Sequence, residues 1–383
     1  MAIWRRFKNI IALLMVSALI MSCSGCNNAI PDSTGSAAAD TTDGSSGTSD
    51  TSGNATIDTG KLTEAADSIV SSGNSDESSE SSKTYDSVVV SFIGDVTLCS
   101  DFRSVNANKG FEYVVDGDLN YCFRNCSDIF KEDDLTIANL EGTVTNATEH
   151  KDKQFVFAMP PDTLKMLTNN GIEAVNLANN HTMDFFEKGY TDTTFNLYCA
   201  GITWSDQNTA ATYQVGNYKI GMFGICDWDP INLAYQRIEE LKTEGCNIII
   251  ANCHWGEEAK YEQNDKQTVL AHKLIDKGVD IVVGGHPHRL QPLEKYKDKW
   301  IAYSISNFCF GGNTWLSDPD TVILQCEFVM DAETGNCVDY RLNIIPFSQT
   351  SSVGNDFCPA PYEWGSDKYY RVLSRLGWSQ EDE

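Results

Sequence analysis

Five apolar, strand-like runs in this chain each end in a cluster of polar residues. The runs are Val88–Ile93, Leu135–Ala138, Ala174–Ala178, Asn247–Cys253 and Val279–Val283. The clusters that follow them are Gly94-Asp95, Asn139-Leu140-Glu141, Asn179-Asn180-His181, His254-Trp255-Gly256-Glu257 and Gly284-Gly285-His286-Pro287-His288. In open α/β sheets, ligands bind beyond the carboxyl ends of the strands. The pattern therefore predicts that carboxylate, amide and imidazole groups meet at one sheet edge, as a metal site requires.

The order of the segments predicts a layered α/β domain at residues 86–348. Helix-like segments separate the strand-like runs, in the rhythm of βαβ units. These helices are predicted at Pro161–Asn170, Phe186–Cys199 and Asp265–Lys277. Three later runs without helices between them indicate antiparallel strands of a second sheet: Trp300–Ile305, Val322–Met330 and Val338–Ile345. Residues 349–383 are predicted to form a C-terminal tail with a weak helix near Lys368–Leu376.

The amino terminus has the pattern of a targeting segment. Arg5 and Arg6 precede the apolar run Ile10–Met21, which is too short to span a bilayer well. Residues 1–22 are predicted to be a lipoprotein signal peptide, because the sequence Ile20-Met21-Ser22-Cys23 resembles a lipobox. The alternative is an ordinary secretory signal with a chance cysteine. We expect an extracytoplasmic protein, anchored to the bacterial cell membrane through lipid on Cys23.

Residues 23–85 are predicted to be a disordered tether. They are rich in Ser, Thr, Gly and Asp and nearly free of aromatic residues. Such a composition cannot bury enough apolar surface to offset the entropy lost on folding. A flexible coil of this length has an r.m.s. span of roughly 40 Å, which would hold the folded domain away from the membrane.

Composition also limits the partners. The net charge is −26, from 28 basic and 54 acidic side chains, which argues against nucleic acid as a ligand. The 13 cysteines form no dense disulfide framework, and the sequence does not decide their pairing. Cys122 and Cys126 either form a bridge or share a helical face.

Four of the six histidines lie in the polar clusters at the strand ends. The other two, His150 and His272, are expected to be hydrogen-bonded scaffold residues. Alternation in His286-Pro287-His288 would offer two imidazoles to the same side. Imidazole, carboxylate and amide oxygen together suit Mn, Fe(II), Zn or Co, and the sequence leaves the identity and number of ions open. Two adjacent ions would polarise a phosphoryl or carbonyl oxygen.

Six motifs occur in an order that resembles the CapA family of bacterial capsule and poly-γ-glutamate synthesis proteins. The six motifs are Gly94-Asp95-Val96-Thr97-Leu98, Ala138-Asn139-Leu140-Glu141-Gly142, Asn179-Asn180-His181-Thr182-Met183-Asp184, His254-Trp255-Gly256-Glu257, Gly285-His286-Pro287-His288-Arg289-Leu290-Gln291 and Tyr303-Ser304-Ile305-Ser306-Asn307-Phe308. That family is similar to the calcineurin-like metallophosphoesterases. The resemblance implies a four-layer α/β/β/α sandwich with a metal site at the carboxyl ends of its strands.

The resemblance also implies roles for individual residues. The implied metal ligands are Asp95, Glu141, Asn180, His254, His286 and His288. His181 would act as an acid or charge stabiliser, and Asp184 would orient it and raise its basicity. The implied substrate-binding residues are Asn179, Trp255, Arg289, Gln291 and Asn307.

Two positions depart from the wider superfamily. The Asp-x-His opening of the phosphoesterases is Asp95-Val96-Thr97 here, so one imidazole ligand is missing. Glu141 stands where an aspartate is expected. Together they predict a centre in which one metal position is weak or empty.

Three functions fit these observations. The first is a metal-dependent hydrolase or transferase that attacks a phosphoester or amide-like bond. The second is a non-catalytic accessory protein that binds or exports an anionic polymer beside capsule-synthesis membrane proteins. The basic residues that would contact such a polymer are Lys273, Lys277, Arg289, Lys295, Lys297 and Lys299. The third is a degenerate scaffold whose site only stabilises the fold.

Overall fold

Strands and helices alternate along residues 83–104 and 108–379, which this computed structural model describes. The predicted signal peptide, Cys23 and nearly all of the predicted tether lie outside the described residues. No helix of the described residues is long and apolar enough to cross a bilayer.

The strands are numbered in chain order. They are β1 (Tyr85–Thr97), β2 (Leu135–Leu140), β3 (Thr143–Val144), β4 (Ala158–Met159), β5 (Ala174–Asn176), β6 (Thr203–Ser205), β7 (Ala211–Val215), β8 (Tyr218–Cys226), β9 (Ile248–His254), β10 (Ile281–Gly285), β11 (Leu290–Tyr296), β12 (Lys299–Ile305), β13 (Asn307–Phe310), β14 (Asp320–Asp331), β15 (Cys337–Ser348) and β16 (Ala360–Pro361). The α-helices are α1 (Phe111–Val115), α2 (Ser127–Glu132), α3 (Leu164–Thr168), α4 (Phe186–Ala200), α5 (Ile231–Thr243), α6 (Asp265–Asp276) and α7 (Asp367–Arg375). A 3₁₀-helix at Pro161–Thr163 precedes α3.

Two sheets form the centre of the domain. The first has the order β16-β15-β14-β1-β2-β5-β6, with β13 also paired to β1, and the second has the order β11-β12-β10-β9-β8-β7. Strands β1, β2, β5 and β6 run parallel, as do β8, β9, β10 and β12. The polar clusters therefore emerge from the carboxyl ends of parallel strands in both sheets.

Three apolar clusters define four layers. The middle cluster joins the inner faces of the sheets, with Phe92 and Ile137 from the first and Met222 and Ile250 from the second. Another packs the first sheet against helices such as α4, through Leu197. The third packs the second sheet against α5 and α6. The predicted α/β/β/α sandwich is confirmed.

The helix ends follow the local sequence. Helix α6 begins at a capping box in which the Asn264 side chain accepts from the Gln267 N–H and the Gln267 side chain accepts from the Asn264 N–H. Such reciprocal bonds satisfy N–H groups that have no partner within the helix. Helix α4 ends at Gly201, whose φ of 72° is the left-handed conformation that glycine adopts readily.

One prediction of strand pairing was wrong. Of the three late runs, only β12 lies in the second sheet. Strand β14 instead pairs antiparallel with β1, from Tyr85 opposite Asp331 to Phe92 opposite Leu324, and β15 pairs with β14. An apolar alternation identifies a strand but not its neighbour, because either sheet offers an edge of the same chemistry.

The described part of the predicted C-terminal tail, residues 349–379, packs against the domain. Within it, strand β16 pairs with β15. Helix α7, predicted as a weak helix, buries Val372 and Leu373 against residues of both sheets, as does Leu376 directly after it. These apolar residues are spaced at the helical period, so the helix is stabilised by packing rather than by its propensity.

Arg375 anchors α7 to two buried carboxylates. It lies 2.7 Å from Asp318 Oδ2 and 2.5 Å from Asp320 Oδ2. Burial would raise the pKa of Asp318, but the hydrogen bond from Arg375 outweighs it and the pKa is lowered. A lowered pKa stabilises the fold above the ordinary carboxyl pKa, and this stabilisation is lost as pH falls through the lowered value.

We therefore expect Arg375→Met to reduce the free energy of unfolding by about 1–3 kcal/mol at neutral pH. The deficit should shrink below about pH 4, where the carboxylates become protonated in the unfolded chain. Urea unfolding at a series of pH values measures this. Arg341→Met is the control, because that side chain is 60% exposed. A deficit that is the same at every pH would contradict the ion-pair explanation.

Candidate metal centre

Asp95, near the carboxyl end of β1, is the point on which the site converges. Its side chain is fully buried. The Asn139 amide donates to Oδ1 at 2.7 Å, and the His286 main-chain N–H donates to Oδ2 at 3.2 Å. His288 Nδ1 lies 3.3 Å from Oδ2. Groups that follow strands of both sheets therefore meet at this carboxylate.

Glu141 directly follows β2 and is also fully buried. The Thr97 hydroxyl donates to its main-chain carbonyl at 2.6 Å and so fixes its backbone. Oε1 lies 3.8 Å from His181 Nε2 and 3.9 Å from His254 Nε2. Neither carboxylate oxygen has a hydrogen-bond partner among the described residues. A buried carboxylate without a partner is costly, and a cation would satisfy it.

His254 ends β9 and contacts two amides. Its Nε2 lies 2.8 Å from Asn180 Oδ1, and its Nδ1 lies 3.2 Å from the Asn139 amide nitrogen. The Asn176 amide donates to Asn139 Oδ1 at 2.9 Å, which directs the Asn139 nitrogen toward His254 and Asp95. The described structure thus brings Asn180 and His254 together.

His286 and His288 lie in the turn after β10. Both have left-handed backbones, with φ of 93° at His286 and 53° at His288, which non-glycine residues adopt rarely. His288 Nδ1 donates to Asn307 Oδ1 at 2.6 Å. His286 Nδ1 is buried and has no hydrogen-bond partner among the described residues. The imidazole rings of His254 and His286 are 4.6 Å apart between centroids.

Burial and charge act in opposite directions on these groups. Burial would raise the pKa of Asp95, but the hydrogen bond from His288 and nearby charges lower it to about 2. Burial, followed by the charge of Asp95, raises the pKa of Glu141 well above its ordinary value. Burial would lower the pKa of His288, but Asp95 and Glu141 raise it to about 9. The carboxylates therefore favour a positive charge at His288, which a metal ion would supply.

Other imidazoles of the site favour the neutral form. Burial lowers the pKa of His254 well below its ordinary value, and burial also lowers the pKa of His286. Neutral imidazole is the form that binds metal ions. Asp95, Glu141 and His288 present ligand atoms within 4.8 Å of one another, and so do Glu258, His286 and His288. The donor set fits a divalent cation.

His181 belongs to a hydrogen-bonded group beside these ligands. Its Nδ1 donates to Asp184 Oδ2 at 2.7 Å. Asp184 is fully buried, accepts from Lys153 Nζ at 2.8 Å and accepts from the Phe157 N–H at 3.0 Å. Burial lowers the pKa of His181 despite its bond to Asp184. With Nδ1 directed at Asp184, Nε2 faces Glu141 and the centre of the site.

The predicted substrate-binding residues divide into two groups. Trp255 and Gln291 are fully buried and have partners within the protein, and substrate contact by these two residues stays a prediction. Trp255 Nε1 donates to the Tyr303 carbonyl at 2.7 Å, and Gln291 binds main-chain carbonyls. Asn307, 2% exposed, orients His288.

Asn179 is 8% exposed and Arg289 is half-buried, and both have structural partners. Asn179 lines a cavity of about 590 Å³ beside the site, together with Lys151, Asn180 and Trp228. Arg289 donates to the His288 carbonyl and to the Ser317 hydroxyl, both at 2.6 Å. Substrate contact by these two residues stays a prediction.

The exposed Trp228 lies at this cavity and is absent from the sequence prediction. Its ring centroid is 6.3 Å from that of His254 and 6.1 Å from that of His286. It follows β8, whose carboxyl end lies beside that of β9. An aromatic wall at the mouth of the site is suited to packing against a substrate.

Three other contributors were missed. Asn139 was inside a quoted motif, and its position at a strand end was the signal that could have identified it. Glu258 directly follows the motif His254-Trp255-Gly256-Glu257 and was given no role. Lys153 lies in a loop without a motif, and only the fold brings it to Asp184.

Three of the six basic residues predicted to contact a polymer are paired with carboxylates. Lys277 pairs with Glu239 at 3.2 Å, Lys297 with Asp276 at 2.5 Å and Lys299 with Asp280 at 2.7 Å. Each partner cancels the charge that an anionic chain would meet.

The two scaffold histidines and the cysteines have ordinary environments. His272 Nε2 lies 2.7 Å from Glu294 Oε1, and His150 packs against Phe102 and Phe185. All 11 cysteines of the described residues are unbridged, including Cys122 and Cys126.

Comparison with known proteins adds independent findings. The family described as "Bacterial capsule synthesis protein PGA_cap" matches residues 89–312. The chain is 28% identical over 334 residues to the PGA biosynthesis protein CapA of Bacillus subtilis (strain 168), covering 78% of this chain and 82% of that protein. It is 31% identical over 286 residues to a probable polyglutamine synthesis accessory protein of Mycobacterium tuberculosis (strain CDC 1551 / Oshkosh), covering 64% of this chain and 73% of that protein. The crystal structure of a phosphatase from Mycoplasma pneumoniae matches with a TM-score of 0.41 and 14% identity, over 69% of this chain and 95% of that chain.

Proposed function

This chain belongs to the PGA_cap family of bacterial capsule synthesis proteins, and from that premise we propose that it acts in capsule or poly-γ-glutamate biosynthesis as a metal-dependent hydrolase or transferase. The CapA resemblance that the motifs indicated is confirmed by the same findings. The observation that carries the catalytic proposal is the pair of Glu141 oxygens, which are buried near two imidazoles and accept no hydrogen bond from the described residues.

The chemistry of the donors limits which ions would bind. Carboxylate, imidazole and amide oxygen lie together without a cysteine among the ligand clusters. This set suits Mn, Fe(II), Zn or Co rather than an ion that prefers thiolates. Asp95, Glu141, Asn180, His254, His286 and His288 would hold one or two such ions.

The surrounding residues would bind substrate and move protons. A bound divalent ion would supply Lewis-acid polarisation of a phosphoryl or carbonyl oxygen. The neutral His181 would accept a proton at Nε2 from the attacking water or hydroxyl and then donate it to the leaving group. Asp184 would hold the imidazole in the required tautomer, and Lys153 would hold Asp184.

The neighbouring cavity is the candidate substrate site. Its lining includes amides, the Lys151 ammonium group and the exposed Trp228 ring. These groups suit a polar, anionic substrate such as a phosphoester or a γ-glutamyl chain. Asn179 and Arg289 are the remaining candidates for contacts with it.

The test is metal content followed by turnover. Full-length protein, purified in detergent, would be stripped with a chelator, reloaded with Mn(II) or Zn(II), and measured by elemental analysis. Phosphoester and γ-glutamyl substrates would then be screened, with Asp95→Asn as the inactive reference. Protein that retains no ion after reloading would overturn the proposal.

A non-catalytic accessory role is the second candidate. The Mycobacterium relative is named as a probable accessory protein, and Thr97 of this chain bonds to the Glu141 carbonyl instead of offering an imidazole. A strain lacking the gene would be complemented with wild-type protein or with the Asp95→Asn variant. Restoration of surface polymer by the variant would favour the accessory role over catalysis.

We also propose that the protein is held at the outer face of the cell membrane through lipid on Cys23. The support is the lipobox-like sequence ending at Cys23 and the polar segment that follows it. Cys23→Ser should transfer most of the protein from the membrane fraction to the soluble fraction or leave it uncleaved, with Cys26→Ser as the control. Unchanged processing and membrane retention of Cys23→Ser would contradict lipid attachment at this residue.

A further inference from the structure

Glu258 lies beside the histidines of the candidate metal centre although its side chain is exposed. Ligand atoms of Glu258, His286 and His288 all lie within 4.8 Å of one another. A second set, Asp95, Glu141 and His288, has the same compactness and is buried except at His288. The two sets share only His288, so they describe adjacent positions, one inner and one outer.

The backbone holds Glu258 against the histidine turn. The Ala259 N–H donates to the Pro287 carbonyl at 2.8 Å, which joins the residue after Glu258 to the residue between the two histidines. The buried Gln291 amide donates to the carbonyls of Lys260 and Glu262, at 3.2 and 3.0 Å. These hydrogen bonds hold the loop after β9 against the turn that contains the two histidines and against Gln291.

Two polar groups at the outer position lack partners. His286 Nδ1 is buried and has no hydrogen bond among the described residues. The Glu258 carboxylate forms no ion pair with a described lysine or arginine. A buried ring nitrogen without a partner is costly, and His286 is one of the three residues whose ligand atoms cluster here.

We propose that Glu258 is a ligand of an outer metal position, completed by His286 and His288 and adjacent to the inner position at Asp95 and Glu141. This proposal rests on the metal centre of the proposed function and adds a ligand to it. The outer position has one carboxylate and two imidazoles, a set that suits Mn(II), Fe(II), Co(II) or Zn(II). Because Glu258 is exposed, the outer ion should exchange faster and bind more weakly than the inner ion.

The Thr97 hydroxyl is consistent with an outer position that takes its anionic ligand from Glu258. It donates to the Glu141 carbonyl and is fully buried, so it offers no ligand to the outer position. Glu258, from the loop after β9, supplies an anionic ligand instead. The number of ions held would then depend on this loop.

The test is Mn(II) titration of metal-stripped, full-length protein, with free Mn(II) measured by its EPR signal. Wild-type protein should show a tight and a weaker class of site. Glu258→Gln should weaken the second class by about 10-fold or more, since even residues that only support ligands cost that much when removed. Glu257→Gln is the matched control, because it removes the same charge from the neighbouring exposed residue.

The outcomes separate the two proposals. Binding of Mn(II) by Glu258→Gln that is identical to that of wild type and Glu257→Gln would overturn the outer position while leaving the proposed function intact. Wild-type protein that binds no Mn(II) or Zn(II) would overturn the metal centre itself. Thermal unfolding in chelator should be the same for all three proteins, which confirms that the exposed substitutions leave the fold intact.

Discussion

Glu141→Met should make the metal-free protein more stable and the metal-loaded protein less stable. Without an ion, Glu141 is a fully buried carboxylate with no hydrogen-bond partner in the part of the chain that the structure describes, and burial raises its pKa well above the ordinary value. Methionine has a similar volume and brings no charge. Replacement of a buried ionic group by a packed apolar one commonly stabilises a protein by about 1–4 kcal/mol.

The same substitution should abolish tight ion binding. Glu141 lies between Asp95, His181 and His254, so its loss removes the negative charge at the centre of the ligand set. We expect the affinity for Mn(II) to fall by more than about 100-fold, beyond the cost of losing residues that only support ligands. Thermal unfolding in chelator and in excess Mn(II) measures both effects in one experiment.

Glu257→Met is the control for this prediction, because it makes the same chemical change at an exposed residue. It should leave both unfolding temperatures unchanged. If metal-free Glu141→Met were less stable than wild type by several degrees, the Glu141 side chain would have a partner that stabilises it. The site would then be part of the scaffold, which is the third function that the sequence allowed.

The positions of the candidate ligands were predictable because they follow from strand direction. Asp95, Glu141, His254 and His286 each follow an apolar run, and parallel strands bring such ends together. The predicted helices Phe186–Cys199 and Asp265–Lys277 end within one residue of α4 and α6, each just before a glycine with positive φ. These features depend on local sequence and on the handedness of βαβ units.

Features that depend on pairing between distant segments were not predictable. Strand β14 pairs with β1 rather than joining the second sheet, and α7 packs against residues of both sheets. Lys153 reaches Asp184 from a loop 31 residues away along the chain. Local sequence does not specify such contacts, because many other residues of the chain have the same chemistry and could be the partner.

The position of the exposed Glu258 at the site was likewise not predictable from local sequence. Two adjacent glutamates follow His254 and Trp255, and the sequence gives no reason to prefer one. The hydrogen bond between Ala259 and Pro287 decides the matter, because it places Glu258 beside the histidine turn. Glu257 therefore provides a control in which only the position of the charge differs.

Close approach of the two sheets at the site depends on glycine. Strand β10 ends at Gly285, which pairs with His254 on β9 and lies directly against Asp95 of the first sheet. A Cβ atom added at Gly285 would lie 2.5 Å from Asp95 Oδ1. Carbon and oxygen cannot approach so closely, so a side chain here must displace the carboxylate or separate the sheets.

Gly285→Ala should therefore displace the Asp95 carboxylate and lower the affinity for Mn(II) by about 10-fold or more. Loss of a residue that only supports a metal ligand has an effect of that size. It should also reduce the free energy of unfolding by about 1–3 kcal/mol through overpacking. Gly354→Ala is the matched control, since an added Cβ there would meet nothing within 4 Å. Mn(II) titration and urea unfolding of both variants test the prediction. Wild-type Mn(II) binding by Gly285→Ala would mean that Asp95 can move without loss of the ion, and that the convergence of the two sheets does not set the geometry of the centre.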